Sequence, residues 1–206
     1  RENLAPALQK LSTELSKKSE EFWPIVKTGR THLQDATPVR LGQEFLGFAG
    51  QTENSLKRLA RMDTALAEVA LGGTAVGTGV NTHPEFSART CRVLAEMTGV
   101  DIKETSNHFQ AQSTLDALVE ASGELKTIAI SLHKIANDIR FIASGPRAGL
   151  GEITLPEVQP GSSIMPGKIN PVIAESVIQV VAQVVGNDAT VTLAGQGGYF
   201  ELNTMM

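Results

Sequence analysis

The chain has 206 residues, 41% of them hydrophobic, with 18 basic and 22 acidic side chains, a net charge of -4 and a single cysteine, Cys91. That is enough apolar material for one substantial domain core. The absence of any basic cluster excludes nucleic acid as an expected partner, and one cysteine excludes an internal disulfide and any CxxC metal pair. No apolar run reaches the roughly 18 to 20 residues that span a bilayer, so no membrane segment is expected.

The spacing of Leu4, Leu8, Leu11 and Leu15 predicts a first helix over about 2–26, already under way at Arg1; the chain reads as part of a longer protein whose natural N-terminus lies upstream. A second helix is predicted over about 41–71 and a short third over about 84–98. The fourth, over about 107–143, carries Leu118, Ala121, Leu125, Ile128, Leu132, Ile135, Ile139 and Ile142 in steps of 3 and 4, a coiled-coil-like seam. The fifth, over about 171–194, is valine-rich on every side, which predicts burial against other subunits rather than within one chain. Strand signals are nearly absent, so the expected class is all-α, an elongated bundle of about five long helices.

Three polar, glycine-rich loops are predicted between these helices: TGRTHLQDATP (28–38), GGTAVGTGVNTHP (72–84) and the 28-residue stretch SGPRAGLGEITLPEVQPGSSIMPGKINP (144–171). A connection of the third loop's length usually has a function. Its segment GSSIMPGKINP places two hydroxyls, Lys168 and Asn170 before a helix, with Asn170 as N-cap and Pro171 as first helical residue, an arrangement suited to a carboxylate. A turn-rich loop with an ordinary cap explains the same composition. A phosphate-binding P-loop does not fit, because Gly161 and Gly167 enclose five residues and Ile169 follows the lysine.

In the first loop Thr31 and His32 stand between Arg30 and Asp35, and histidine can move protons near neutral pH. An exposed loop histidine with no such role is the competing reading. Glu175 lies about one turn into an otherwise apolar helix, where a partner such as histidine, or the helix dipole alone, would offset its burial. His83, His108 and His133 are not spaced as metal ligands, GGTAVGTG lacks the dinucleotide spacing and reads as tight loop packing, and Cys91 reads as a small core residue.

GSSIMPGKINP resembles the signature loop of the fumarase and aspartase superfamily. GRTHLQDATP, GGTAVGTGVNTHPEF, KIANDIR, ASGPRAGLGEI and GNDATVT are similar to class II fumarase segments in the same order, from about Gly29 to Asn203. His32 stands where aspartases typically have glutamine, which favours the fumarases.

The resemblance implies reversible hydration of fumarate to (S)-malate through a carbanion-like aci-carboxylate, with no organic cofactor and no metal. Position by position, Ser162 would remove the C3 proton and His32, paired with Glu175, would serve the departing hydroxyl or the attacking water. Thr31, Lys168 and Asn170 would bind substrate carboxylates. The resemblance further implies that residues 1–206 are the central helical domain, lacking an upstream region and a small C-terminal domain. It implies a homotetramer with a twenty-helix core, its active sites shared so that the His32 and Ser162 segments come from different chains. The expected location is a reducing one, the cytoplasm, or the mitochondrial matrix in a eukaryote. Two alternatives stay open: aspartate ammonia-lyase or another superfamily lyase, and a helical assembly piece that is catalytically incomplete.

Overall fold

The computed structural model describes residues 2–205. In chain order they form α1 (Leu4–Glu21), β1 (Val26–Thr31), β2 (Gln34–Arg40), α2 (Leu41–Ala65), β3 (Glu68–Val69), α3 (Phe86–Thr98), β4 (Lys103–Glu104), α4 (His108–Ser113), α5 (Asp116–Ile142), α6 (Val172–Gly195), β5 (Gly198–Tyr199) and β6 (Leu202–Asn203). The chain divides into one unit of residues 1–56 and 127–184 and a second of residues 57–126 and 185–206. Helices dominate, as the periodicity predicts.

Four details differ from the sequence reading. The first helix stops at Glu21, because Pro24 has no N–H to donate and disfavours a helical residue before it. The polar stretch that follows is not a loop but an antiparallel hairpin, pairing Val26 with Arg40 and Thr31 with Gln34. The second helix ends at Ala65, after which Glu68–Val69 pair in parallel with Lys103–Glu104. The fourth segment is two helices: Thr114 is extended (φ -122°, ψ 157°), and its hydroxyl donates back to the Gln110 carbonyl at 3.1 Å, which ends α4.

In the first unit the core gathers Leu15, Leu41, Phe45, Phe48, Ala49, Ile135 and Ile142, with Phe22, Ile139 and Ile153 against it. Phe45 meets Phe22 and Phe48 edge-on, at centroid separations of 5.1 and 5.5 Å, the favoured aromatic geometry. Gly42 is required where α2 begins under the end of α1, since a Cβ there would stand 2.8 Å from Trp23 Cα. Ser19 Oγ donates to the Gly42 carbonyl at 2.7 Å across the same contact.

In the second unit the glycine-rich segment 72–84 is tightly packed, as expected: a Cβ on Gly73 would come within 2.6 Å of Gln112 Oε1, and one on Gly77 within 2.8 Å of Phe109 Cδ1. Gln112 Nε2 donates to the Ala75 carbonyl at 2.8 Å and His108 Nε2 lies 3.0 Å from the Leu71 carbonyl. Cys91 is a free, buried thiol. Asp188 on α6 is buried, accepts from Ser122 Oγ at 2.9 Å and pairs with Lys126. Contact with the Lys126 ammonium and the Ser122 hydroxyl holds its carboxyl below the usual range.

Along α5 the residues spaced by seven, Ala121, Ile128, Ile135 and Ile142, are all buried, whereas Leu118 and Leu125 of the neighbouring column are exposed. Leu132 and Ile139 of that column are half-buried, so within one chain the predicted seam is left open at Leu118 and Leu125. The α6 helix departs further from expectation: Ile173, Val180 and Leu193 are 65, 60 and 63% exposed, so its apolar faces are not buried by this chain. Among the described residues it is also the one helix long and apolar enough, by length and composition alone, to cross a membrane. The sequence reading found no such stretch because Glu175 and Asp188 interrupt the apolar run.

Candidate active site

Two segments of the first unit carry five of the six residues expected at the site, and the sixth, Glu175, lies in the first turn of α6. The first is the hairpin. Its turn is His32 and Leu33, with φ of 55° and 61°, so a two-residue connection is closed by two left-handed, non-glycine residues. Positive φ at both positions matches the twist of the flanking strands, which is why such turns usually take Asn-Gly. Here the turn presents an exposed imidazole at its tip, with Thr31 as the last residue of β1.

The strand behind that tip is irregular. Register shifts between Thr28 and Arg30, where a Cβ on Gly29 would press to 2.6 Å from the Thr37 carbonyl oxygen. Lys27 and Arg30, three residues apart, would face opposite sides of an unbroken strand. Across the irregularity both reach one carboxylate: Lys27 Nζ lies 2.5 Å from Glu152 Oε2 and Arg30 Nη2 lies 2.7 Å from Glu152 Oε1. Lys27 also pairs with Glu44 on α2 at 2.7 Å. Burial pushes the Glu152 carboxyl up, but the contacts with Arg30 and Lys27 outweigh it and hold the group below its ordinary value.

The second segment is the long connection before α6. Ser162 Oγ accepts the backbone N–H groups of Ile164 at 3.3 Å and Met165 at 3.2 Å. Ser162 N donates to the Lys168 carbonyl at 3.4 Å and Lys168 N to the Met165 carbonyl at 3.1 Å, closing a small ring that holds Gly167 at φ 80°. Two amide dipoles aimed at one hydroxyl oxygen favour its negative form, the requirement for a serine to act as a base.

Lys168, Asn170 and Glu175 line one cavity of about 710 Å³ together with Asn137, Arg140 and the Ser144–Pro146 turn. The structure thus brings together three of the six expected residues; Thr31, His32 and Ser162 lie outside that lining. Among the described residues no hydrogen bond or ion pair joins His32 to Glu175, so the expected pairing is not made within one chain. The helix also starts one residue later than expected: the Pro171 carbonyl accepts the first helical bond, from Glu175 N at 3.0 Å, so Pro171 rather than Asn170 is the cap.

Sequence reasoning did not single out Asn137 and Arg140, which bring an amide and a guanidinium to the cavity from one face of α5, nor Glu152. The i, i+3 spacing of the first two was readable; the Glu152 pairing was not, because it joins residues more than a hundred positions apart. Among the described residues no group of three or more His, Cys, Asp or Glu side chains could hold a metal ion.

The chain has extensive similarity to known proteins. Residues 1–186 match the family described as lyase. The chain is 54% identical over 205 residues to a class II fumarate hydratase of Corynebacterium efficiens and 55% identical over 204 residues to one of Neisseria meningitidis serogroup A, covering 99% of this chain in each case. It spans 43% and 44% of the lengths of those relatives. Its structure superposes on a class II fumarase from Schistosoma mansoni with a TM-score of 0.90 at 38% identity, covering 97% of this chain and 45% of that one. A fumarate lyase:delta crystallin from Brucella melitensis, bound to cobalt, gives the same TM-score at 48% identity, covering 96% of this chain and 43% of that one. The chain therefore belongs to the lyase family, and the relatives it is similar to within that family are class II fumarate hydratases.

Proposed function

We propose that the protein to which this chain belongs is a class II fumarase, hydrating fumarate reversibly to (S)-malate. The observation that carries the reading is the pair of amide N–H groups on Ser162 Oγ, within a loop that the Lys168 backbone closes. In the dehydration direction Ser162 takes the C3 proton, which leaves an aci-carboxylate with added negative charge. The Lys168 ammonium, Asn170 and the start of α6 stabilise that charge as fixed electrostatics. His32 gives a proton to the departing hydroxyl, or takes one from water in the reverse direction, and Thr31 binds a substrate carboxylate. The reading calls on no cofactor.

Because His32 and Glu175 do not meet within the chain, their pairing is assigned to a contact between subunits of a homotetramer. The exposed apolar faces of α6 and the exposed Leu118 and Leu125 of the α5 seam support that assembly, since such surfaces are seldom left open to water. We place the protein in a reducing compartment, cytoplasmic or, in a eukaryote, the mitochondrial matrix, which the free Cys91 suits.

Following the ultraviolet absorbance of fumarate with the natural full-length protein tests the reading. Loss of the fumarate signal in buffer free of ammonia supports hydration; turnover that appears only when ammonia is added would replace fumarase by an ammonia-lyase. If residues 1–206 form a helical assembly piece that is catalytically incomplete, that polypeptide alone leaves fumarate unchanged while the full-length protein turns it over.

A further inference from the structure

We infer that Glu152 is a positioning residue that holds the hairpin bearing Thr31 and His32 in its working place. Its backbone is fixed first: Glu152 N donates to the Ile142 carbonyl at 2.7 Å and Ile153 N to the same oxygen at 3.3 Å. Ile142 is 7% exposed and belongs to the core cluster, so Glu152 hangs from the best-packed part of the unit. Its carboxylate then reaches β1 through Arg30, the residue immediately before Thr31, and through Lys27, whose side chain is only 8% exposed and is held from the other side by Glu44.

The strand is built to receive this carboxylate. The register irregularity at Gly29 turns Lys27 and Arg30 toward one group, which a regular strand could not do. Beyond Arg30 only Thr31 remains before the turn, whose two residues, His32 and Leu33, both have positive φ. Among the described residues no side-chain hydrogen bond or ion pair anchors His32 or Leu33, so this two-residue turn inherits its placement from the strand below it. Misplacement of a catalytic group by about 1 Å costs on the order of a hundredfold in rate, so the hold on β1 bears directly on turnover.

The inference rests on the acid–base reading of His32, and the test separates the two. In the natural full-length protein, Glu152→Gln keeps the size of the side chain and removes its charge. Amide exchange across residues 26–40 is expected to rise about tenfold while exchange in α3 and α4 is unchanged. In the same protein kcat is expected to fall on the order of tenfold to a hundredfold. The limb of the kcat profile against pH that disappears in His32→Asn is expected to move, and Glu152→Asp to regain part of the lost rate. Hairpin exchange that stays within about twofold of the parent overturns the inference. So does a loss of rate accompanied by faster exchange everywhere and an unmoved pH limb, which is the mark of general destabilisation. If His32→Asn turns over like the parent, the catalytic reading of His32 fails, while exchange in Glu152→Gln still decides whether Glu152 holds the hairpin. Should Glu152→Gln not fold, Arg30→Gln removes the same contact from the other side and is read by the same measurements.

Discussion

Arg30 Nη2 and Glu152 Oε1 stand 2.7 Å apart, joining the strand before His32 to the segment that leaves α5. Because the Glu152 carboxyl is held below its ordinary value, its contribution to stability is fully present above the unfolded carboxyl value, about 4.3. It is lost as pH falls through the lower folded value. Thermal or denaturant unfolding between about pH 5 and pH 2 should therefore show a steeper acid loss in the parent than in Glu152→Gln. Identical acid slopes would remove the linkage.

Ser162 lies in an exposed connection and supports no core contact, so Ser162→Ala should leave the unfolding midpoint nearly unchanged. Turnover should fall by about 10² to 10⁴, the usual contribution of a positioned acid or base. Full activity in this variant would withdraw the role assigned to Ser162.

His32→Asn removes the imidazole but keeps a residue that tolerates positive φ. The expected result is a turnover loss of about 10² to 10⁴ with one limb of the pH profile gone. An unchanged bell-shaped profile in this variant would place the titrating group elsewhere.

Phe48 is 3% exposed, and its ring is packed edge-on to Phe45 with the Lys134 ammonium 4.6 Å from its centroid. Phe48→Ala should destabilise the first unit by about 3 to 5 kcal/mol through lost burial and the cavity left behind. Denaturant titration measures this directly, and a loss under about 1 kcal/mol would mean that the core closes over the gap.

Much of the helical fold was legible in the sequence because its signal is periodic. The α6 bounds agree with the prediction to within a residue or two, and α3 is closed by Gly99 at φ 67°, where a helix of that pattern would end. The hairpin was hidden for a physical reason: β1 and β2 are mostly exposed, so they lack the alternation of apolar and polar residues that marks a half-buried strand, and their turn is His-Leu rather than Asn-Gly. The α4–α5 break was masked by the continuing seam, since Thr114 ends the first helix through a side-chain bond, not a proline or glycine. At the site, Lys168, Asn170 and Glu175 were readable as neighbours of one helix start. Glu152 was not, because its cationic partners come from a strand irregularity that no local spacing reveals.

The turn at His32 and Leu33 has one more consequence, for how this protein can be made hardier. Two side chains sit in a left-handed backbone that glycine would adopt without steric penalty, and each such residue typically costs on the order of 1 to 3 kcal/mol. Glycine at position 33 would relieve part of that cost and, by the same act, loosen the tip that presents the imidazole. Selection for heat resistance and selection for turnover therefore pull this turn in opposite directions, and screens for thermostable variants that ignore activity should recover changes at Leu33.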